Sequence, residues 1–593
     1  MSSSSVRAQA RGNVAVSRDG KTAAGKTANA GQLSVVGILI GVVGCVIITA
    51  SSVYTALKMG SLPWPTIFTS ITALVLLRAF GRRSLNEANI TQIIMSAGSM
   101  VAGGLAFTIP GIWMLGLEDH TSLWEMLFVA LAGTLLGLVC TALIRRRFVD
   151  ESDLEYPIGT AAAETLTAAT NRGGTGKRLF LSMGLAGLYS VARDVLGVVP
   201  AMLAALPIPG VTFGIYNSPM MLSVGFLVGF GALAFAMAGA VFANFGLVVG
   251  GTAAGLWDLA TAGGIVKSLG MGLMMGSGLG VVLKDILPAL VRMARGADER
   301  AAAAGVSAKA TAGAADAEAG AGRSGGLFAD LTGRYDAGVL GLMVAAAAVV
   351  ICLGLGLSPL VAVVIILLSF VTTIMSAQSV GQTGIDPMEI FGLIVLLFVA
   401  VISQTAPVKL FFVAGIVAVT CGLAGDVMSD FKTGSIIGTN PRAMWAGQAI
   451  GASLGVVVAV LTMSALFGAY GADAFGVGKA FVAAQASVVA TMVSGIPSVP
   501  AFVVGLAGGI VMYVAGLPSM MFGLGVYLPF YMPFSMFIGA AVKLVFDRFA
   551  RKAGVDEQAE QETGIVVASG LLGGESIVGV IIALVSVATG LGR

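Results

Sequence analysis

Residues 86–116 read NEANITQIIMSAGSMVAGGLAFTIPGIWMLG. The run is long and apolar enough to cross a bilayer, yet it opens on Asn86, Glu87, Asn89, Thr91 and Gln92 and breaks at Pro110-Gly111. In hydrocarbon each unsatisfied polar group costs several kcal/mol, so a lipid-facing anchor has no use for amides. Polar groups on a spanning helix belong where they meet other helices or a water-filled path. This segment is therefore expected to line something inside a larger bundle.

The rest of the chain supplies that bundle. Of its 593 residues 57% are hydrophobic and 11% charged, with a mean hydropathy of +0.96. A soluble chain could not cover so much apolar surface, so the composition is that of a polytopic membrane protein. Eight apolar runs fall between residues 33 and 290 and eight between 335 and 590. Some are short or carry Pro and Gly, so hydropathy gives about 13–16 spans. The 83 glycines fit closely packed and interrupted spanning helices. The fold expected is an all-α polytopic membrane protein with broken or re-entrant helices.

Charge sets the expected orientation. Arg7, Arg11, Arg18, Lys21 and Lys26 precede the first apolar run; Arg78, Arg82 and Arg83 follow the second; Arg145, Arg146 and Arg147 follow the fourth. Glu118 and Asp119 follow the third. Positive residues mark the cytoplasmic side, which places the N-terminus there. Residues 1–32 read as a disordered basic tail with no cleavable signal peptide.

Residues 296–334, rich in Ala, Gly and charge, read as a flexible linker. It separates a first half, 33–295, from a second, 335–593, and the halves share residues at an offset of 300. Val199-Pro200-Ala201 matches Val499-Pro500-Ala501, Met220-Met221 matches Met520-Met521, and Gly225, Phe230, Gly239 and Ala240 match Gly525, Phe530, Gly539 and Ala540. The shared Pro and Met pairs favour two internally repeated halves, and such repeats are a mark of secondary transporters.

Several chemistries are excluded. No GxxxxGK[ST] loop is present, and no soluble stretch is long enough for a nucleotide domain. The single histidine, His120, lies between spans, there is no HExxH, and the four cysteines stand singly. A zinc site, a disulfide framework, a cofactor and an enzymatic role are accordingly not expected. Nothing suggests nucleic acid.

What remains is a set of ionisable and amide residues in apolar sequence, where such groups are costly and face an interior. Arg193 and Asp194 sit in the run 178–206; as helix neighbours they diverge, so each is expected to pair with another helix. Glu164, in a non-crossing or broken element near 151–178, Glu575, in the last span, and Asp194 are the proton-coupling candidates. A structural hydrogen-bonding role for them stays open. Residues 376–389, SAQSVGQTGIDPME, carry Gln378, Gln382 and Asp386 and read as a loop or a second lining. Residues 421–451 carry Asp426, Asp430, Lys432 and Arg442 and read either as a cytoplasmic loop or as a broken helix whose end meets an anionic group.

These pieces together resemble the oligopeptide transporter family, in the bacterial group near the yellow-stripe-like branch. The likeness rests on NEANITQIIMSAGSM with FTIPGIWMLG, EYPIGTAAAETL, AGDVMSDFKTGSIIGTNPRAMWAGQAIG, GLGVYLPFYMPFSMFIGAAVK and ASGLLGGESIVG, in family order from residue 54 to 580. The resemblance implies proton-driven import of peptides or metal chelates and about sixteen spans arising by duplication. The NPG and KIPPR signatures of the eukaryotic peptide branch are absent, and Lys543 ends a motif that usually closes on Arg, so neither a peptide length nor a metal follows.

The function expected is a secondary active transporter, a proton-coupled symporter importing oligopeptides or peptide-like chelates across the bacterial inner membrane. Its alternative is a channel or receptor-like scaffold without coupled transport. Asn89, Gln92, Gln378 and Gln382 would contact substrate backbone, Asp430 would join them, and Lys432 or Arg442 would meet a carboxylate. Tyr156 and Tyr527, within two of the motifs, complete the binding candidates. Partners are the substrate, protons and the lipid bilayer, with a homodimer as a candidate assembly.

Overall fold

The structure is a computed structural model that describes residues 32–59, 65–152, 175–281, 334–553 and 557–589, less a few single positions, with parts of 153–174 and residues 283–284. The basic tail and almost all of the linker lie outside the described residues. Among them nine helices are long and apolar enough to cross a membrane, and six further apolar helices are shorter.

The chain begins with α1 (Val35–Met59), α2 (Pro65–Ala79) and α3 (Leu85–Ala106), then the short α4 (Pro110–Met114) and α5 (Leu123–Arg145). Next come α6 (Thr175–Asp194), a β-hairpin, α7 (Pro219–Val228), α8 (Phe230–Val241) and α9 (Leu259–Val281). Beyond the linker follow α10 (Arg334–Val349), α11 (Pro359–Thr383), α12 (Met388–Ile402), α13 (Pro407–Cys421), α14 (Val427–Ile437) and α15 (Pro441–Tyr470). The chain ends with α16 (Ala484–Ser494), α17 (Val499–Val514), α18 (Ser519–Tyr527), α19 (Tyr531–Ala553) and α20 (Glu557–Thr589).

The segment 86–116 is the centre of this arrangement. Ser84 caps α3 by accepting from the Glu87 N–H, and every residue from Glu87 to Ala106 is buried. Helices α1, α2, α13, α14 and α15 surround it. Close approach needs small residues at the crossings. A Cβ on Gly455 of α15 would stand 2.4 Å from the Gly98 Cα of α3, and one on Gly451 would stand 2.2 Å from the Ile94 carbonyl oxygen. At Pro110 the missing N–H interrupts the ladder, but the Thr108 hydroxyl donates back to the Gly104 carbonyl at 2.8 Å and the chain runs on into α4. The break is thus a kink packed in protein.

A second group of helices, α6–α9 with α17–α20, packs beside the first, and α20 touches α1 and α15 between them. Two features here differ from the sequence reading. The apolar run 178–206 is not one span: α6 stops at Asp194, and Met202–Ile208 pairs antiparallel with Val211–Tyr216. Pro200, Pro207 and Pro209 prevent a helix there, and Gly210, at φ +75°, makes the turn. The runs 219–243 and 245–265 are also divided elsewhere, because the chain breaks at Gly229, φ +89°, and a single span then continues from Phe230 to Ala253.

Gly455→Ala is expected to destabilise the protein by about 1–3 kcal/mol through overpacking. Gly468→Ala, on the same helix with nothing within 4 Å of the added carbon, should be neutral or stabilising by up to about 1 kcal/mol. Thermal unfolding of the two variants in detergent checks the contrast.

Candidate functional site

The first element of the site is a polar junction on α3. Gln92 and Ser96, one turn apart, donate to the two oxygens of Asp430 on α14 at 2.8 Å and 2.9 Å, and Thr66 at the start of α2 donates at 3.0 Å. One turn earlier Asn89 donates to Thr439, which in turn donates to Asn86 at 3.0 Å. The amide oxygens of Asn89 and Gln92 are buried and have no hydrogen-bond partner among the described residues. They are buried acceptors that no donor among the described residues reaches.

The second element follows from how α13 joins α14. Residues Gly422–Asp426 form a π-helical turn, whose wider winding releases carbonyls from the regular ladder, and such turns gather at functional positions. The freed Leu423 carbonyl accepts from Gln448 at 2.6 Å and from Thr141 at 3.1 Å. Gly425 lets the end of α11 lie against this turn: a Cβ there would stand 3.0 Å from the Asp386 carboxylate and nearer still to the Ser376 hydroxyl. Asp386, Glu389 and Asp430 all act on Asp426 as like charges, and all four are buried. Both oxygens of Asp386 and one of Asp426 lack any hydrogen-bond partner among the described residues. Ser376, although adjacent to Asp386, donates to the Cys421 carbonyl. No ion pair among the described residues reaches any of the four.

Tyr156 braces this region. It is fully buried, holds a left-handed backbone at φ 46°, and docks on α11 through its N–H to Gly381 and its hydroxyl to Ala377, at 3.0 Å and 3.1 Å. An L-residue held in that conformation stores strain that its surroundings must offset, a pattern frequent at functional sites. Gln378, on the same stretch of α11, is also buried. Lys432 donates to the Leu154 carbonyl at 2.9 Å. Arg442 lies exposed in the first turn of α15, where Asn440 caps its N–H. Beside it a cavity of ≈ 440 Å³ is lined by Gln32, Arg145, Asp150, Ser435 and Thr439, among others. The Gln382 side chain and Glu164 lie outside the described residues.

The remaining candidates stand apart. Tyr527 is buried at the end of α18, its hydroxyl close to Ser487 but without a well-formed hydrogen bond. Glu575 is saturated. Its carboxylate accepts from Arg193 at 2.8 Å, from the Ser218 hydroxyl at 2.8 and 2.9 Å, and from the Met220 N–H at 2.8 Å. Arg193 also grips Asp194 with two bonds of 2.7 Å. Arg193 thus pairs with another helix as expected, through Glu575 of α20, but it also pairs with its neighbour Asp194, the last residue of α6, against the expectation that the two diverge. Glu575 joins α20, α6 and α7, with side-chain exposures of 0% for Arg193 and 1% for itself.

Three carboxylates of the unpaired group, Asp386, Glu389 and Asp426, were not among the site residues expected from sequence. Asp386 reads as loop in one dimension, and it comes to Asp426 only through tertiary packing. No group of three or more metal-ligating side chains suited to a metal ion occurs among the described residues.

A polytopic helical membrane protein with a buried path of amides and carboxylates falls in the class of membrane transporters. The particular family follows from comparison: the model of the OPT oligopeptide transporter protein family matches residues 32–586, and the chain belongs to that family. A Haemophilus influenzae protein named "Putative oligopeptide transporter" is 24% identical over 91% of this chain and 93% of its own length. A metal-nicotianamine transporter of Arabidopsis thaliana is 32% identical over 16% of this chain and 14% of its own. A rice protein named as a probable metal-nicotianamine transporter is 29% identical over 26% of this chain and 23% of its own.

Glu575→Gln is expected to cost about 3 kcal/mol of stability, since breaking a buried pair leaves an uncompensated charge. The double variant Glu575→Leu with Arg193→Met should be less destabilised than the sum of its single changes. A double-mutant cycle by thermal unfolding measures this coupling.

Proposed function

We propose that the chain is a secondary active transporter that imports oligopeptides or peptide-like metal chelates in symport with protons, and that Asp386, Glu389 and Asp426 carry the protons beside an anionic Asp430. One observation supports this above the others: four carboxylates lie buried together and no basic side chain pairs with any of them among the described residues. Removing a carboxylate from water without a partner carries an idealised cost on the order of 20 kcal/mol. Such a group does not hold four negative charges, so it takes up protons. Asp430, with three donors, serves as the anion of the set; Asp386, with none, is where a proton sits.

Coupling follows from the same arrangement. Protonation removes charge from the contact between the π-helical turn and the end of α11, and deprotonation restores repulsion there, so the two states favour different packings of α11 against α13–α14. The unpartnered amide oxygens of Asn89 and Gln92 offer acceptors for substrate N–H groups, and Gln378 lies on the opposite helix. Family membership and the relatives' names support the substrate class. The cytoplasmic N-terminus rests on the charge pattern of the first four spans, and the inner-membrane location on the resemblance to the bacterial group of the family.

Proteoliposome uptake of labelled trialanine and of ferric nicotianamine tests the reading. An inward acid gradient should raise accumulation of at least one of them about tenfold or more over the gradient-free control. Asp386→Asn should abolish that stimulation while preserving substrate exchange without a gradient. Uptake indifferent to the gradient, or full accumulation by both Asp386→Asn and Asp426→Asn, would overturn it.

A further inference from the structure

A second charged centre lies away from the acidic group and serves none of the steps above. Lys58, in the last turn of α1, places its ammonium 5.7 Å from the ring centroid of Tyr54, 5.7 Å from that of Tyr216 and 5.9 Å from that of Phe481. Tyr470, at the end of α15, packs edge-on against Phe481 at 5.1 Å, and Tyr531 of α19 stands 5.9 Å from Tyr216. The residues come from both helix groups and from the hairpin. Phe481 and Tyr54 are buried, whereas Lys58, Tyr216, Tyr470 and Tyr531 are partly exposed. The result is a box with a closed floor and an open side.

The box holds a cation whose anion is missing from the described residues. No carboxylate among them forms an ion pair with Lys58. The acid that acts on Lys58 by charge, Glu575, is already engaged by Arg193, whose guanidinium lies over the Tyr216 ring at 5.4 Å. Aromatic faces attract an ammonium group, and the Tyr216 hydroxyl oxygen can accept from one of its N–H donors, but no carboxylate among the described residues takes the other two. A lysine that only needed water would extend past the helix end; this one is turned among rings.

We propose that Lys58 and its aromatic box bind a carboxylate of the transported solute, the C-terminal carboxylate in the case of a peptide. Flat rings of Tyr216, Tyr470 and Tyr531 suit the faces of adjoining amide planes, and the tyrosine hydroxyls can donate to the second carboxylate oxygen. The assignment deepens the transport reading and rests on it for the solute class. It also gives the carboxylate a receptor that Lys432, committed to the Leu154 carbonyl, does not offer.

Calorimetric titration of the purified full chain in detergent, without any gradient, tests this with trialanine, trialanine amide and ferric nicotianamine as probes. The wild type should bind at least one carboxylate probe, and where trialanine binds it should do so about tenfold or more tightly than its amide, as expected for a lost charged hydrogen bond. Lys58→Met should remove that preference while still binding the amide as the wild type does, which shows the variant folded; for ferric nicotianamine it should weaken binding about tenfold or more, with melting unchanged. Lys58→Arg should restore much of either effect. Equal affinity for acid and amide, undiminished binding by Lys58→Met, or no binding of either carboxylate probe would overturn the assignment. Gradient-driven uptake is scored separately, so a protein that fails to concentrate these solutes but still shows the Lys58-dependent preference would lose the transport reading and keep this one.

Discussion

The grip of Gln92, Ser96 and Thr66 on Asp430 joins three helices through one carboxylate, and the centre of the molecule is arranged around it. At membrane depth no solvent competes for these donors, so the geometry of α2, α3 and α14 is tied to keeping them made. Because α3 is wholly buried, the amides along its first turns can meet only protein or cargo. The kink at Pro110 and the π-helical turn at Gly422–Asp426 then become intelligible together. Each frees backbone groups that would be intolerable against lipid, and each lies where surrounding helices satisfy some of them. Irregular backbone survives there because it is enclosed.

Glycine makes that enclosure dense. In the second helix group, Gly225 of α7 lies against Gly539 of α19, and Gly239 of α8 lies against Phe522 of α18 while Gly525 of α18 lies against Ala236 of α8. At these crossings of α7 with α19 and of α8 with α18 larger side chains would hold the helices apart.

How much of this was legible beforehand depended on how local the signal was. The membrane class and the central, buried place of 86–116 with Asn89 and Gln92 could be read because amides inside an apolar run are anomalous in one dimension. The hairpin at 202–216 was hidden by its apolar residues, which hydropathy cannot tell from a helix; only its prolines signalled otherwise. Asp386 was hidden for a different reason. Its neighbours Gly384 and Pro387 make it read as loop, and nothing nearby in sequence announces that Gly425 leaves room for its carboxylate beside Asp426. For Glu575 the partners were the hidden part: nothing in its glycine-rich span announces that Arg193, Ser218 and the Met220 N–H meet its oxygens.

The contrast between the two acidic centres bears on how such a protein divides labour. A carboxylate that accepts from three donors, one of them a buried guanidinium, ties together the elements that carry them, so Glu575 holds α6, α7 and α20. A carboxylate with empty lone pairs beside like charges changes its preferred surroundings whenever a proton comes or goes. In the proposed cycle fixed pairs and unpaired acids are complementary: the first tie helices together, and the second let α11 repack against α13–α14 as protons come and go. In the same reading Lys58, at the seam between the groups, lets a bound carboxylate touch both at once, a contact separate from the protonation of the acids.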